Sequence, residues 1–257
     1  MLTLDQIAAQ YPVNLQPFRR SLIVEYLQCK ILEIIFNSKI ATKLSFLGGT
    51  SLRLIYNNNR FSEDLDFDNF NLTAIEFKQL SQLIKKGLEA EGLNVEVSMV
   101  TTGALRCNIR LPRLLFESGL SGHQDEKILI HVDSVSQGFK YTPERKLLNR
   151  FDVFSEVFVT PLDILLSQKI YAALNRRRAK GRDFFDIVFL SSITTSNYQY
   201  LKQKLNISNK EQLTLKMKTS LKHTNFKDLS QDVSSFLFKS SDVRKVELFP
   251  EFIDQLG

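Results

Sequence analysis

Three aspartates spaced two apart are the residues of this 257-residue chain best suited to do chemistry. Asp64, Asp66 and Asp68 alternate with Leu65 and Phe67 in the run RFSEDLDFD. Because side chains at i and i+2 of a strand share a face, this run predicts a strand with three carboxylates on one side. A divalent cation would relieve their repulsion, and Mg²⁺ prefers oxygen ligands and also holds substrate phosphates. A pair of such cations can activate an attacking oxygen and stabilise a leaving one.

The same pattern has two other interpretations. A solvated acidic edge strand also alternates Asp with apolar residues and needs no metal. An EF-hand-like calcium loop is disfavoured because Leu and Phe intervene and Asn69 stands where such a loop requires Gly.

A glycine pair upstream favours the metal hypothesis. Gly48 and Gly49 follow the short apolar run 44–47, and Thr50 and Ser51 are expected to cap a helix that follows. Backbone N–H groups at such a turn attract phosphate, and glycine lets the backbone approach closely. We therefore expect a phosphate cradle just upstream of the aspartates, with a simple turn as the alternative.

A further acid, Asp133, ends the alternating run ILIHVD. It is a candidate base for an incoming hydroxyl and a third metal ligand, or else an ordinary strand-end aspartate. His131 shares its face and is interpreted as a packed strand residue.

A basic segment provides the last candidates. Lys169 and Arg176 are seven residues apart, so two helical turns place them on one face. With the arginines at 177 and 178, they are candidates to hold phosphates of a nucleotide or nucleic acid. Gly181 is expected to break the helix, and Arg182 and Asp186 have the i,i+4 spacing of an ion pair. An exposed basic helix with local ion pairs is the alternative.

The elements that must position these residues follow from hydrophobic periodicity. We expect strands at 44–47, 62–70, 95–111, 127–136 and 155–159, and helices at 18–40, 50–56, 73–91 and through most of the chain after Pro161. Strands mixed with helices, followed by helices alone, predict an α+β fold with a mixed sheet and a helical C-terminal domain. We place the core at 1–140 and the C-terminal domain at 141–257.

Composition excludes several classes of protein. Hydrophobic residues at 43% and charged residues at 24% are typical of a globular chain and exclude a disordered one. No apolar run is long enough for a membrane span. We see no secretory signal, and two isolated cysteines predict reduced thiols, so we expect a cytoplasmic protein with no membrane partner.

Charge is unevenly distributed. The net charge is +6, with −1 over residues 1–139 and +7 over residues 140–257. A surface kept soluble by its charge is the first interpretation of this pattern, and a polyanionic partner for the C-terminal half is the alternative.

Taken together, the blocks FLGGTSLRL, RFSEDLDFD and K…ALNRRRAKGRDFFDIVFL resemble the AbiEii/AbiGii family of MenT-like nucleotidyltransferase toxins. The family occurs in bacterial toxin–antitoxin and phage-defence (abortive infection) systems. The resemblance covers roughly residues 46–190 and implies a polymerase-β-like nucleotidyltransferase core.

The resemblance also implies roles for residues. It assigns Gly49, Ser51, Lys169, Arg182 and Asp183 to the nucleotide, and the sequence pattern described above adds Gly48, Thr50 and Arg176 to this set. Those assigned to catalysis are Asp64, Asp66, Asp133, Lys169 and Asp186, of which Asp64, Asp66 and Asp133 would bind Mg²⁺, or Mn²⁺ in its place. The loop has Gly-Gly-Thr-Ser where the superfamily often has Gly-Ser, so Thr50 could take the role of Ser51.

The expected activity is transfer of a nucleoside monophosphate (NMP) from an NTP to an RNA hydroxyl, with the tRNA 3′ acceptor end favoured by the basic C-terminal half. A cognate antitoxin is the expected protein partner. The alternatives are transfer to a protein or small-molecule hydroxyl, and a nucleotide- or RNA-binding module without turnover.

Overall fold

The computed structural model describes residues 1–100 and 104–256, which form two units. The first unit comprises residues 1–56 and 61–159, and the second comprises residues 57–60 and the chain from 160 onward. The chain therefore leaves the first unit for four residues, returns to it, and enters the second unit again after Val159.

The first unit is built on one mixed seven-stranded sheet. The strands are β1 (Leu44–Leu47), β2 (Leu65–Asn69), β3 (Glu96–Val100), β4 (Leu105–Pro112), β5 (Lys127–Val135), β6 (Glu144–Arg150) and β7 (Val153–Val159). Their order is β3-β4-β5-β2-β1-β7-β6, in which β2–β5 and β1–β7 are parallel and the other neighbours are antiparallel. The two aspartate-bearing strands, β2 and β5, are thus direct neighbours near the middle of the sheet.

Five helices accompany the sheet. They are α1 (Leu4–Ala8), α2 (Arg19–Phe36), α3 (Gly48–Leu54), α4 (Ala74–Ala90) and α5 (Leu114–Glu117). The long helix α2 contacts β5, β7 and α4, and twelve of its side chains are buried. At α4, Thr73 accepts a hydrogen bond from the Glu76 backbone while Glu76 accepts one from the Thr73 backbone, a capping box that fixes the predicted helix start.

Most of the predicted strands are present. Alternation in β5 buries Ile128, Ile130 and Val132, as the pattern predicts for a strand with one apolar face. The predicted strand at 95–111 is two strands, β3 and β4, and its residues 101–103 lie outside the described part of the chain.

Strand β6 was not predicted. Its sequence, ERKLLNR, is mostly polar, and Leu148 is its one fully buried side chain. Because β6 and β7 pair along their whole length and β7 joins β1, the first unit extends to Val159 rather than to residue 140. The predicted boundary therefore differs from the division in the structure.

The second unit is helical, as predicted. Its helices are α6 (Leu162–Asn175), α7 (Gly181–Ser191), α8 (Tyr198–Leu205), α9 (Lys210–Leu221), α10 (Phe226–Ser234), α11 (Arg244–Glu247) and α12 (Phe249–Phe252). With the mixed sheet of the first unit, this confirms the α+β class.

The core of the second unit has an aromatic centre. The ring centroids of Phe184, Phe226 and Phe249 lie 4.9–5.7 Å apart. Gly181 begins α7, as the predicted helix break requires, and a Cβ there would lie 1.9 Å from the Leu229 carbonyl oxygen of α10. Only glycine permits this close contact between α7 and α10.

No helix in the described ranges, 1–100 and 104–256, is both long and apolar enough to cross a membrane.

Candidate active site

The turn between β1 and α3 lies directly against an aspartate of β2. Gly48 has φ +80°, a conformation that favours glycine, and a Cβ on it would lie 2.3 Å from Asp66 Oδ2. The antiparallel pairing of β1 with β2 puts Leu47 opposite Asp66, which brings the turn to this carboxylate. The glycine pair thus has a structural reason to precede the aspartates: it leaves room for Asp66.

The two hydroxyls after the glycines do not cap the helix. α3 begins at Gly48 with no side-chain cap, so the capping predicted for Thr50 and Ser51 is wrong. Thr50 instead donates its hydroxyl to the backbone carbonyl of Asp64 at 2.5 Å. Both side chains are fully buried, and Ser51 Oγ has no hydrogen-bond partner in the described chain. Nucleotide contact by this loop remains a prediction, and Gly48 and Gly49 are buried like the two hydroxyl residues.

Three of the predicted acids come together across neighbouring strands. Asp66 of β2 lies opposite Asp133 of β5, and Asp64 immediately precedes β2. Since register partners share a face and neighbouring strands lie about 4.8 Å apart, the Asp66 and Asp133 side chains are neighbours. We call Asp64, Asp66 and Asp133 the carboxylate row.

An arginine that the sequence did not indicate extends this row. Arg106 of β4 lies opposite Asp133 in register. Its Nε is 2.7 Å from Asp133 Oδ1, and its Nη2 is 2.5 Å from Oδ2. Asp133 raises the pKa of Arg106, and Asp64 and Asp66 act in the same direction. The guanidinium therefore lies in the field of the whole carboxylate row.

Asp68, the third aspartate of the run, has a different environment. It is buried, and its Oδ1 accepts hydrogen bonds from the backbone N–H groups of Asn69 and Gln137, both at 2.8 Å. Asp68 thus ties the end of β2 to the chain that follows β5.

The donor chemistry of the carboxylate row fits a magnesium ion. Asp64 and Asp66 are half-buried carboxylates beside the glycine turn. No group of three or more His, Cys, Asp or Glu side chains is placed to hold a metal in the described part of the chain. Mg²⁺ does not require one, because it is usually bound by one or two carboxylates together with substrate phosphates and water. The metal role of Asp64, Asp66 and Asp133 remains a prediction.

The second unit holds a separate group of charges, which we call the buried ion cluster: Arg60, Lys169, Asp183 and Asp186. Asp186 is fully buried and receives Arg60 Nε on Oδ1 and Arg60 Nη2 on Oδ2, both at 2.7 Å. Lys169 Nζ lies 2.8 Å from Asp186 Oδ2 and 3.2 Å from Asp183 Oδ1. Asn58 adds a hydrogen bond to Asp186 Oδ1 at 2.9 Å.

These contacts determine the protonation of the cluster. Burial alone would raise the pKa of Asp186, but Arg60 and Lys169 together lower it to about 2. Burial would likewise lower the pKa of Lys169, and the two aspartates more than reverse this. An ionised carboxylate held by two cations is a poor base near neutral pH. In this arrangement Asp186 positions Lys169, and the catalytic role predicted for both remains untested.

Two arginines predicted to contact nucleotide have different surroundings. Arg176 Nε lies 2.8 Å from Asp183 Oδ2, so Lys169 and Arg176 converge on one carboxylate, consistent with the predicted shared face. Arg182 does not take the predicted place beside Asp186; its guanidinium lies 4.8 Å from the centre of the Phe236 ring. Arg60 has replaced it as the partner of Asp186.

A further buried network in the first unit also had no sequence signal. Arg53 of α3 donates Nε to Glu25 Oε2 at 2.9 Å, and Arg150 and Tyr11 both bind Glu25 Oε1. Glu25 therefore fixes α3, which carries the glycine turn, to α2. Its one indication in the sequence is a glutamate within an apolar helix.

Comparison with known proteins identifies the family of the chain. Residues 30–245 match the family described as the nucleotidyl transferase AbiEii toxin of type IV toxin–antitoxin systems. No curated protein sequence matches the chain.

Among solved structures, the fold is similar to that of MenT4, the nucleotidyltransferase toxin Rv2826c from Mycobacterium tuberculosis H37Rv. The TM-score is 0.60 at 16% identity, covering 100% of this chain and 91% of MenT4. It is also similar to a putative nucleotidyltransferase from Helicobacter pylori, with a TM-score of 0.56 at 18% identity over 91% of this chain and 95% of that one.

At these identities the structural likeness shows the fold alone, whereas the family match spans most of the sequence and includes both the carboxylate row and the buried ion cluster. The chain therefore belongs to the AbiEii family of nucleotidyl transferase toxins.

Proposed function

We propose that this nucleotidyltransferase toxin passes an NMP from an NTP to a hydroxyl of an RNA, with tRNA as the favoured acceptor, and that it uses Mg²⁺. Asp64 and Asp66 beside the Gly48 turn are the observation that supports the nucleotide and metal part of the proposal. The proposal includes a cognate antitoxin as partner, as the family description implies. NTP and tRNA are cytoplasmic molecules, so the proposed reaction takes place in the cytoplasm.

In the proposed reaction, the hydroxyl oxygen bonds to the α-phosphorus of the NTP while the bond to pyrophosphate breaks. Mg²⁺ held by Asp64 and Asp66 would supply charge stabilisation for the phosphates. The Gly48 turn orients the phosphates through its backbone, and Thr50 fixes the Asp64 backbone. Asp133 is the candidate acceptor of the hydroxyl proton, a role that requires Arg106 to release at least one of its two oxygens. Catalysis then depends chiefly on positioning and on stabilisation of charge.

The charge of the second unit supports an RNA acceptor. Residues 57–60 and 160–257 hold 17 Lys+Arg and 10 Asp+Glu, a net +7, whereas the first unit holds 17 and 18, a net −1. Arg177 and Arg178, which follow α6, are exposed. The positive charge that could bind a polyanion is thus concentrated in the second unit.

Part of this positive charge lines a polar cleft of about 540 Å³ in the second unit. Its lining includes Asn175 at the end of α6, Lys202 and Lys204 of α8, and Lys216 of α9. None of the three lysines has an acidic partner among residues 1–100 and 104–256. Three unneutralised ammonium groups around one cleft match the spaced phosphates of an RNA backbone.

The central experiment supplies the protein with Mg²⁺, each α-labelled NTP in turn, and either total tRNA or a cell lysate stripped of RNA. We expect label on tRNA with the wild type. Asp64→Ala/Asp66→Ala should reduce transfer at least about 10³-fold, because the charge stabilisation at the phosphates is lost. The charge-matched control is Glu117→Ala/Asp125→Ala, two exposed acids of the first unit. Equal transfer by the wild type and Asp64→Ala/Asp66→Ala would refute the assigned site, and label on a protein band would refute the RNA acceptor.

The cleft has its own test. In fluorescence anisotropy with labelled tRNA, Lys202→Gln/Lys204→Gln/Lys216→Gln should weaken binding and lower the slope of log K against log salt by about 2 to 3. The matched control, Lys39→Gln/Lys78→Gln/Lys86→Gln, removes three exposed lysines from the first unit. Equal losses in the two triple variants would mean that the cleft is not the RNA surface.

A further inference from the structure

Arg106 contacts Asp133, an acid of the carboxylate row that is also a candidate ligand of a divalent cation. Both of its hydrogen bonds go to Asp133, one to each carboxylate oxygen. The Arg106 side chain is 48% exposed, whereas that of Asp133 is 17% exposed. The guanidinium thus approaches a largely buried carboxylate from the solvent side.

This geometry sets up a competition. A two-point contact occupies both oxygens of Asp133, so a divalent cation that uses Asp133 must displace at least one arginine nitrogen. The exposed side of Arg106 lets the guanidinium withdraw into water, where it is readily solvated.

We propose that Arg106 is the resident counter-ion of the carboxylate row, holding Asp133 in the cation-free protein and competing with an entering divalent cation for it. The inference rests on the proposed function, since it takes the carboxylate row as the metal site. Its consequence is that the protein alone binds divalent cations weakly. An arriving nucleotide, which brings its own phosphate oxygens to the cation, then compensates for the Arg106–Asp133 contact that is lost.

The alternative is that Arg106 only joins β4 to β5 as a surface ion pair. Arg110 provides the comparison: it lies on the same strand and face four residues on, and it donates Nη1 to Ser98 Oγ at 2.8 Å rather than to a carboxylate. Arg106→Gln and Arg110→Gln remove the same charge from β4, and only the first releases an acid of the row.

The test is a titration with Mn²⁺ alone, in which free Mn²⁺ is followed by electron paramagnetic resonance at 0.15 M salt. We expect Arg106→Gln to bind Mn²⁺ about fivefold more tightly than wild type, the scale of a partly exposed ion pair. Arg110→Gln should bind like wild type. In Arg106→Gln/Asp133→Asn the gain should disappear, because the released ligand is gone.

Unchanged or weaker Mn²⁺ binding by Arg106→Gln overturns the inference, as does a gain of equal size in Arg110→Gln or a gain that survives Asp133→Asn. Thermal unfolding of each variant excludes misfolding as the cause. The label-transfer assay reports separately on the proposed function. Transfer to tRNA with no Mn²⁺ gain refutes the role of Arg106 alone, and a Mn²⁺ gain without transfer to any acceptor refutes the function alone.

Discussion

The carboxylate row and the buried ion cluster are both groups of acids and bases within the family match, yet their environments are opposite. In the row, Asp64 and Asp66 are half-buried and Asp133 is paired with the exposed side chain of Arg106. In the cluster, Asp186 is fully buried and held by Arg60 and Lys169. The row can exchange partners at low cost, whereas the cluster cannot lose one without leaving a buried charge. Acids that look alike in the sequence can therefore be partly exposed and exchangeable in one region and buried and fixed in another.

The largest expected effect tests the cluster. Asp186→Ala leaves Arg60 and part of Lys169 without a counter-charge, and we expect a loss of about 3–5 kcal/mol in the free energy of unfolding, measured in urea. The double variant Asp186→Leu/Arg60→Met removes both charges and should lose clearly less. If the two variants were equally destabilised, the cost would lie in packing rather than in the unpaired charge.

The next effect tests the row. Gly48→Ala should lower transfer about 10²-fold, because the added Cβ displaces Asp66 and small misplacements of catalytic groups cost this much. Gly92→Ala is the matched control: Gly92 also has positive φ, +84°, but a Cβ there meets nothing within 4 Å. Both variants carry similar backbone strain, so a shared loss of transfer would remove Asp66 from the explanation.

A smaller effect is the loss of unfolding free energy at acid pH. The folded pKa of Asp186 is lowered from 3.8 to about 2, so the unfolded chain binds the proton first. The resulting stabilisation, about 2 kcal/mol, is complete above pH 4 and is lost as the pH falls from about 4 to 2. Urea unfolding of Asp186→Asn across this range should show a shallower decline than wild type. Parallel declines would contradict the assignment.

The smallest effect concerns the hydroxyl that holds the row. Thr50→Val keeps the shape of the side chain and removes its hydrogen bond to the Asp64 carbonyl, which should cost about 1 kcal/mol of unfolding free energy. Transfer should fall severalfold, well short of the Gly48→Ala loss. Thr42→Val, at an exposed position before β1, is the control and should change neither quantity.

The elements with clear periodicity were predictable. The alternation of β5 and the Thr73–Glu76 capping box of α4 act within a few residues, so local sequence is sufficient to place them. Strand β6 was missed because its residues are mostly polar and only its pairing with β7 stabilises it. The stabilisation comes from this hairpin pairing, which the mostly polar residues of β6 do not indicate by periodicity.

The candidate site likewise contains residues that local sequence indicated and residues that it did not. The glycine turn and Asp64, Asp66 and Asp133 belong to recognisable local patterns, and the structure brings them together. Arg106 is a single arginine on a strand, with nothing in its neighbours to show that Asp133 would lie opposite. The ion pair predicted between Arg182 and Asp186 was wrong, because a helical spacing cannot reveal a competitor 126 residues away.

That competitor comes from the four-residue segment 57–60, which belongs to the second unit although its flanks belong to the first. During synthesis on the ribosome, Arg60 and Asn58 emerge long before Asp186 exists. A C-terminal fragment that begins at residue 160 would lack both Asn58 and Arg60. In that fragment the buried charge of Asp186 would be opposed by Lys169 alone. The boundary after Val159 is therefore a poor place to truncate this protein.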